Sequence, residues 1–314
     1  MNNDKEQQSI DILTSHLPQA PVPFGIGDDC ALIEDQRLHH VVTMDSMVEH
    51  VHFDDRWSAA DVGWKLVASN VSDIASMGRV PNYCTFAISL PDAKRIHWLP
   101  LFRIGFLEAL QHWNIHLVGG DITSSPNHIF LSLTLHSTSE EYSDSVSKAI
   151  FRCGAQIDDD LYVTGNLGNA AAYFFGAIST YVRPMPSVAF ADAMRKQNMI
   201  SSMMDISDGL SKDARILCER SGVSAHIYVN SLPHTLPLEH LQISWLTSFG
   251  EDFELLFTSS RKNRNQLQDL SQKYGVKITK IGVIQEMRKD ECLQLYDAEG
   301  TKIPFPQTLF QHFS

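Results

Sequence analysis

The chain has 314 residues, the length of about two domains. Its 25 Lys and Arg against 37 Asp and Glu give a formal charge of −12, which leaves no basic surplus to neutralise a nucleic-acid backbone. A hydrophobic fraction of 43% is enough for an ordinary globular core, yet no uncharged apolar run approaches the roughly 18–20 residues of a membrane span. The leading MNNDKEQQSIDIL has acids where a signal peptide needs positive charge. Five cysteines, at 30, 84, 153, 218 and 292, include no CxxC pair and fit reduced, packed thiols. The expectation is a cytoplasmic protein that engages neither nucleic acid nor membrane.

In chain order, 38–44 and 83–90 are expected as strands, as are 115–118 and 128–135, the last with a clean apolar–polar alternation. Between the first two lies a helix. Ser58 and Asp61 form a capping box at its start, and Gly78 suits the C′ position at its end. Val62, Leu66, Val67, Val71, Ile74 and Met77 make its apolar stripe at 3.6 spacing. A second stripe of Lys65, Ser69, Ser72, Asp73 and Ser76 fits a ligand-facing surface or a solvated one, and the solvated reading expects Asp73→Asn to leave the fold undisturbed. The serine- and acid-rich 137–147 is expected as a linker. Beyond it strands are expected at 161–165, 226–229, 254–257 and near 276–284, with helices near 168–178 and at 263–274.

Six segments place a carboxylate beside glycine or serine: 24–33, 41–46, 70–78, 117–125, 203–213 and 249–257. Any one of them is what a turn or helix cap uses: Asp208 could cap a helix beginning near Leu210, and Asp121 after Gly119–Gly120 could close a hairpin. Six together suggest oxygen-ligated hard cations such as Mg²⁺, placed where strand ends in open α/β folds receive ligands. There is no GxxxxGK[ST] loop, no GxGxxG, since Cys30 stands at the third glycine, and no HRD or DFG. Phosphates would therefore be held through metals and a different glycine framework.

GIGDDCAL (25–32), a strand ending in Asp45, HF (52–53), K-x-x-x-x-N-x-S-D-x-x-x-M-G (65–78), GGD (119–121), RCGA (152–155), DxSDG (205–209) and GEDFEL (250–255) occur together in this order. In this the chain resembles the thiamine-monophosphate kinase family of the aminoimidazole ribonucleotide synthetase-like superfamily. The resemblance implies an α/β fold of the α+β type, a two-domain aminoimidazole ribonucleotide synthetase-like fold with mixed sheets flanked by helices. Residues 1–140 would form an ATP- and Mg²⁺-binding domain that pairs in a homodimer, and 141–314 an α/β domain completing the site. The implied reaction transfers the γ-phosphoryl of ATP, the co-substrate, onto thiamine monophosphate, assisted by several Mg²⁺ ions. The resemblance assigns metal binding to Asp29, Thr43, Met44, Asp45, Asp73, Asp121, Asp205 and Asp208, with Met44 offering only its carbonyl where relatives often carry a second Thr. Of these, Asp29, Asp73, Asp121 and Asp205 would be catalytic. Gly119, Gly120, Asp121, Arg152 and Ser207 correspond to ATP contacts, and His52, Glu251 and Phe310 to contacts with the thiamine phosphate. The ending LFQHF has Leu309 and Gln311 where Gly and Asp are usual, and Phe249 replaces a common glycine. Rival readings are a cyclo-ligase, a selenophosphate synthetase, a hydrogenase-maturation dehydratase, or a non-catalytic nucleotide or metal sensor on the same fold. The dehydratase would end in a reactive cysteine and this chain ends HFS, while a selenophosphate synthetase would carry a Cys in a glycine-rich N-terminal loop.

Overall fold

A computed structural model describes residues 28–34, 39–139, 149–179, 183–235, 242–287 and 292–306. Two mixed sheets organise the chain. The first holds β1 (Ala31–Glu34), β2 (His39–Val48), β3 (Tyr83–Leu90), β4 (His116–Ser124) and β5 (Phe130–Ser139) in the order β1-β2-β5-β3-β4. Every pairing in it is antiparallel except β3 with β4. The second sheet holds β6 (Asp160–Thr164), β7 (Ser202–Asp205), β8 (Val223–Tyr228), β9 (Leu255–Ser259), β10 (Ile278–Glu286), β11 (Leu293–Tyr296) and β12 (Lys302–Ile303). Its order is β12-β11-β8-β10-β6-β9-β7, and only β11 with β8 is parallel. The helices are α1 (Ala59–Ser76), α2 (Asp92–Arg95), α3 (Trp98–His112), α4 (Asn169–Phe174), α5 (Val188–Lys196), α6 (Leu210–Ser221), α7 (Ile243–Thr247) and α8 (Arg264–Tyr274).

Several of the expected strands run longer than their apolar patterns, and two of these extensions bear on the acids. The strand expected at 38–44 continues to Val48, and that at 115–118 continues to Ser124. Asp45, expected at a strand end, and the run Gly119–Gly120–Asp121, expected beyond one, therefore lie within strands, and Asp121 closes no hairpin. Pairing explains the extension: a Cβ on Gly120 would stand 2.1 Å from the Phe86 carbonyl oxygen, so glycine lets β4 stay against β3. Of the expected linker, 137–139 belongs to β5 and 140–147 lies outside the described residues.

Helix α1 is the element on which both sheets converge. Its boundaries are the expected ones. The Ser58 hydroxyl accepts the Asp61 N–H at 3.0 Å and donates to the Asp61 carboxylate at 2.7 Å. At the other end Gly78 adopts φ +67°, the left-handed C′ conformation. The surprise is the second stripe. Lys65, Ser69, Ser72 and Ser76 are all buried, so that stripe is no solvated face. One side of α1 lies on β2 and β5 while α5 and β7, from the second half of the chain, cover another. The apolar core is accordingly continuous across the halves: Leu66, Ile74 and Leu133 share one cluster with Phe190, Met194 and Phe257.

Helices α1 and α3 meet backbone to backbone. A Cβ on Gly105 would come within 1.8 Å of the Ala60 carbonyl oxygen, and one on Gly63 within 2.4 Å of the Phe102 carbonyl oxygen. Neither neighbour is a flexible side-chain end, so α3 would have to be pushed off α1. Gly105→Ala should cost about 2 kcal/mol or more of stability, as core overpacking does. A urea titration checks it, and an unchanged midpoint would show that the pair can slide apart freely.

Candidate active site

Three carboxylates from distant parts of the sequence converge at one end of α1. Asp29 precedes β1, Asp73 sits in the penultimate turn of α1, and Asp205 ends β7; one oxygen of each lies within 4.8 Å of the other two. The first two come from the first sheet's half of the chain and the third from the second. Polar neighbours hold them in place. The Thr43 hydroxyl donates to Asp73 Oδ2 at 2.6 Å, the Ser72 hydroxyl donates to Asp205 Oδ2 at 2.8 Å, and Arg152 is ion-paired to Asp29. Asp45 is fixed by its backbone N–H, which donates to Asn70 Oδ1 at 3.1 Å, and its charge bears on both Asp73 and Asp205. Two cluster oxygens, Asp29 Oδ2 and Asp205 Oδ1, are buried without a hydrogen-bond partner among the described residues, as is Arg152 Nε.

Buried acids this close cannot all hold charge. Burial pushes the Asp73 carboxyl well above the usual 3.8, and the charges of Asp45, Asp205 and Asp29 push it further, against the Thr43 hydrogen bond. Asp205 is raised in the same way, by burial and then by Asp29. Neighbouring Asp28 is pushed up to about 6 by burial and by Asp29. For Arg152 burial acts to lower the value, but the surrounding aspartates outweigh it and keep the guanidinium charged.

Ser207 and Asp208 lie on the loop from β7 to α6, and GEDFEL runs alongside. The Glu251 N–H donates to the Ser207 carbonyl at 2.9 Å and the Phe253 N–H to that of Ile206 at 3.0 Å. Gly250 permits this contact, since a Cβ there would stand 1.9 Å from the Ser207 oxygen. Asp208 does not cap α6: the N-terminal N–H groups of Asp208 and Gly209 donate instead to Asp213, and Asp208 pairs with Lys212 at 2.8 Å. The three acids of GEDFEL have three fates. Asp252 accepts the Gly168 and Ala170 N–H groups, and burial pushes it up to about 7. Glu254 accepts the Thr164 hydroxyl at 2.6 Å. Only Glu251 reaches the neighbouring cleft, where Lys65 meets it at 2.6 Å.

His52, Arg56, Trp57, Phe174, Phe249 and Glu251 line this cleft. His52 Nδ1 accepts the Val48 N–H at 3.0 Å, which places the proton of a neutral ring on Nε2. Phe249, the departure from glycine, is buried and packs near Phe174 and Phe175. The sequence assigns no role to Lys65, Arg56 and Trp57, although Lys65 stands out there as a lysine in a stripe of small hydroxyls and as the first residue of the motif at 65–78.

Two predicted groups do not join the cluster within one chain. Met44 is exposed, and Gly119, Gly120 and Asp121 lie on β4 at the exposed edge of the first sheet. The pairings Asp45–Leu133, Leu133–Phe86 and Phe86–Gly120 put three strand spacings, roughly 14 Å, between Asp45 and this run. Phe310 lies outside the described residues.

Paired mixed sheets with a carboxylate cluster between them define a class, and the family comparisons agree. The family of AIR synthase related proteins matches through its N-terminal domain at residues 27–138 and its C-terminal domain at 180–292. The thiamine-monophosphate kinase of Buchnera aphidicola from Acyrthosiphon pisum is 33% identical over 92% of each chain. A crystal structure of the thiamine-monophosphate kinase of Stenotrophomonas maltophilia covers 95% of this chain and 96% of its own at 31% identity, with a TM-score of 0.75. A solved structure described as AaThiL complexed with AMPPCP and TMP covers 98% and 97% at 27% identity, with a TM-score of 0.80. The chain belongs to the thiamine-monophosphate kinase family, within the AIR synthase related group.

The cluster makes the metal-free protein pH-sensitive. With Asp73 and Asp205 raised above 3.8, the folded state keeps protons that the unfolded state has released once the pH passes about 4. Stability of chelator-treated protein should therefore fall as pH rises through the range toward 7, in the sense opposite to an ordinary salt-bridged acid. Asp73→Asn removes one repelling charge and should raise the melting temperature of metal-free protein at pH 7 by about 2 °C or more. That replaces the expectation from sequence that Asp73→Asn, though it nearly abolishes turnover, leaves stability almost unchanged. Differential scanning fluorimetry across pH checks both, and a melting temperature rising with pH would contradict the raised carboxyls.

Proposed function

We propose that the protein transfers the terminal phosphoryl group of ATP to the phosphate of thiamine monophosphate, giving thiamine diphosphate. The observation that carries this is the meeting of Asp29, Asp73 and Asp205 across the two sheets with two buried oxygens lacking partners. Arg152 offsets one of the three converging carboxylates, and the hydroxyls of Thr43 and Ser72 do not neutralise the other two. Cations do, and an all-oxygen donor set suits Mg²⁺. Asp29, Asp73 and Asp205 would hold such ions, with Thr43 and Asp45 adjoining them and Asp208 on the loop that follows Asp205. Bound there, Mg²⁺ supplies charge neutralisation for the phosphates.

The chain's own groups position the two phosphates. Arg152 is held by Asp29 and its Nε has no partner among the described residues; the half-buried guanidinium is suited to a phosphate oxygen. Ser207, two residues after Asp205 on the β7–α6 loop, is proposed as a further ATP contact. The acceptor is a phosphate monoester whose second pKa is near 6, so it arrives largely deprotonated and needs no general base. His52, with its proton on Nε2, then serves as a donor to the substrate rather than as a phospho-carrier.

Asp121 and Gly119–Gly120 would act at an assembled site. Leu117, Val118 and Ile122 are exposed on the same edge strand, an apolar edge that supports homodimer formation through β4. The two sheets support a division into domains near residue 140, and free, mostly buried thiols support a cytoplasmic location. Phe310 is proposed as the remaining contact to the thiamine ring.

Thiamine monophosphate should be consumed with ADP release, and unphosphorylated thiamine should not: its hydroxyl does not arrive ionised as the phosphate does, while in the cleft Glu251 is held by Lys65 and the proton of a neutral His52 is on Nε2. Coupled ADP assays on the two acceptors decide this, and equal turnover of thiamine would overturn the metal-anchored acceptor. Ile122→Lys should shift the protein to half its native mass in light scattering, whereas a monomeric wild type would remove the dimer.

A further inference from the structure

A buried lysine near a phosphoryl-transfer site is by default a phosphate ligand. The surroundings of Lys65 exclude that use. Its side chain is 2% exposed, and all three directions of its ammonium are taken. Nζ donates to Glu251 Oε1 at 2.6 Å and to the His52 carbonyl at 2.8 Å, and it sits 4.5 Å from the centroid of the Trp57 ring. Glu251, His52 and Trp57 all line the cleft, whereas Lys65 lies behind them. One cation thus fixes three walls at once: a carboxylate from the second half of the chain, and a main-chain carbonyl and an indole from the first.

Its place on α1 says which part of a ligand those walls meet. Lys65 and Asp73 are eight residues apart on one helix, about 12 Å at 1.5 Å per residue. A phosphate transferred at the Asp73 end leaves the remote, non-phosphate portion of the acceptor to reach the Lys65 end. Glu251 adopts φ +69°, a left-handed backbone unusual outside glycine, and it is held there from both sides, by its N–H on the Ser207 carbonyl and by its carboxylate on Lys65.

We infer that Lys65 is the positioning residue of the acceptor-ring subsite: it orients Glu251, Trp57 and the His52 main chain for the heterocyclic end of the substrate and touches no phosphate. This rests on the proposed reaction, and the two can fail separately. Wild-type turnover of thiamine monophosphate tests the reaction, and the variants test Lys65.

The test measures KM for each substrate, together with calorimetric binding of unphosphorylated thiamine, for Lys65→Met, Glu251→Gln and the double variant, all with melting temperatures. Lys65→Met should raise KM for thiamine monophosphate about tenfold and weaken thiamine binding by a similar factor. KM for ATP should stay within about twofold and kcat within about threefold, the signature of lost uniform binding. In the Glu251→Gln background the same change should add less than about twofold, because the carboxylate that Lys65 compensates is gone. The double variant should also recover melting temperature lost in Lys65→Met, which keeps the comparison open if that single variant folds poorly. Equal rises in KM for ATP and acceptor would make Lys65 a general structural residue and overturn the inference. So would fully multiplicative effects of the two substitutions, or thiamine binding left untouched.

Discussion

Electrostatic repulsion among Asp29, Asp73 and Asp205 is the constraint around which the molecule is arranged. Their oxygens approach within 4.8 Å in an interior where burial alone already opposes ionisation. Such a cluster is costly in the absence of cations, so it persists only where the surrounding structure fixes it. Thr43, Ser72 and Arg152 do this locally, and α1 does it globally. The helix is clamped between the first sheet, α3 and elements of the second sheet, with glycine at the α3 crossing so that no side chain loosens the fit. Stability invested in packing α1 is what holds the like charges together.

Much of this was legible in the sequence, and the reasons are local. Ser58, Asp61 and Gly78 announce the ends of α1 because capping chemistry involves only nearby backbone groups. The acids stood out because glycine and serine beside them are poor candidates for anything but turns or ligand contact. Fold class and family followed from the order of those motifs. What was hidden is non-local. The stripe from Lys65 to Ser76 has the composition of a surface, and only the docking of α5 and β7 turns it inward. Within GEDFEL the residue types alone do not separate Glu251 from Asp252 and Glu254; the family resemblance singled out Glu251, and the structural reason is that Lys65, the start of α4 and Thr164 respectively face the three acids. The reach of β4 past residue 118 was likewise set by its partner strand, since GGD looks like a turn until β3 pairs with it.

The acids also differ in what they need. Asp252 is buried and raised to about 7, yet it accepts two backbone N–H groups and serves as scaffold for the loop before α4. Asp29 and Asp205 retain an unpartnered oxygen each. A shifted carboxyl is thus not by itself a mark of chemistry here; the distinction lies in which oxygens the protein leaves unsatisfied.

The continuous core beneath α1 bears on how ligands enter. In many two-domain enzymes a hinge opens the cleft, and the halves behave as separate bodies joined by a linker. Here Leu66 and Ile74 share their packing with Phe190, Met194 and Phe257, so swinging the halves apart would expose the apolar interior on both sides of the helix. Opening on that scale is equivalent to partial unfolding. Rearranging loops and side chains at the rim of the cleft costs far less than parting the halves, and Lys65 and Asp73, on one continuous helix, set the spacing between the cleft and the acid cluster.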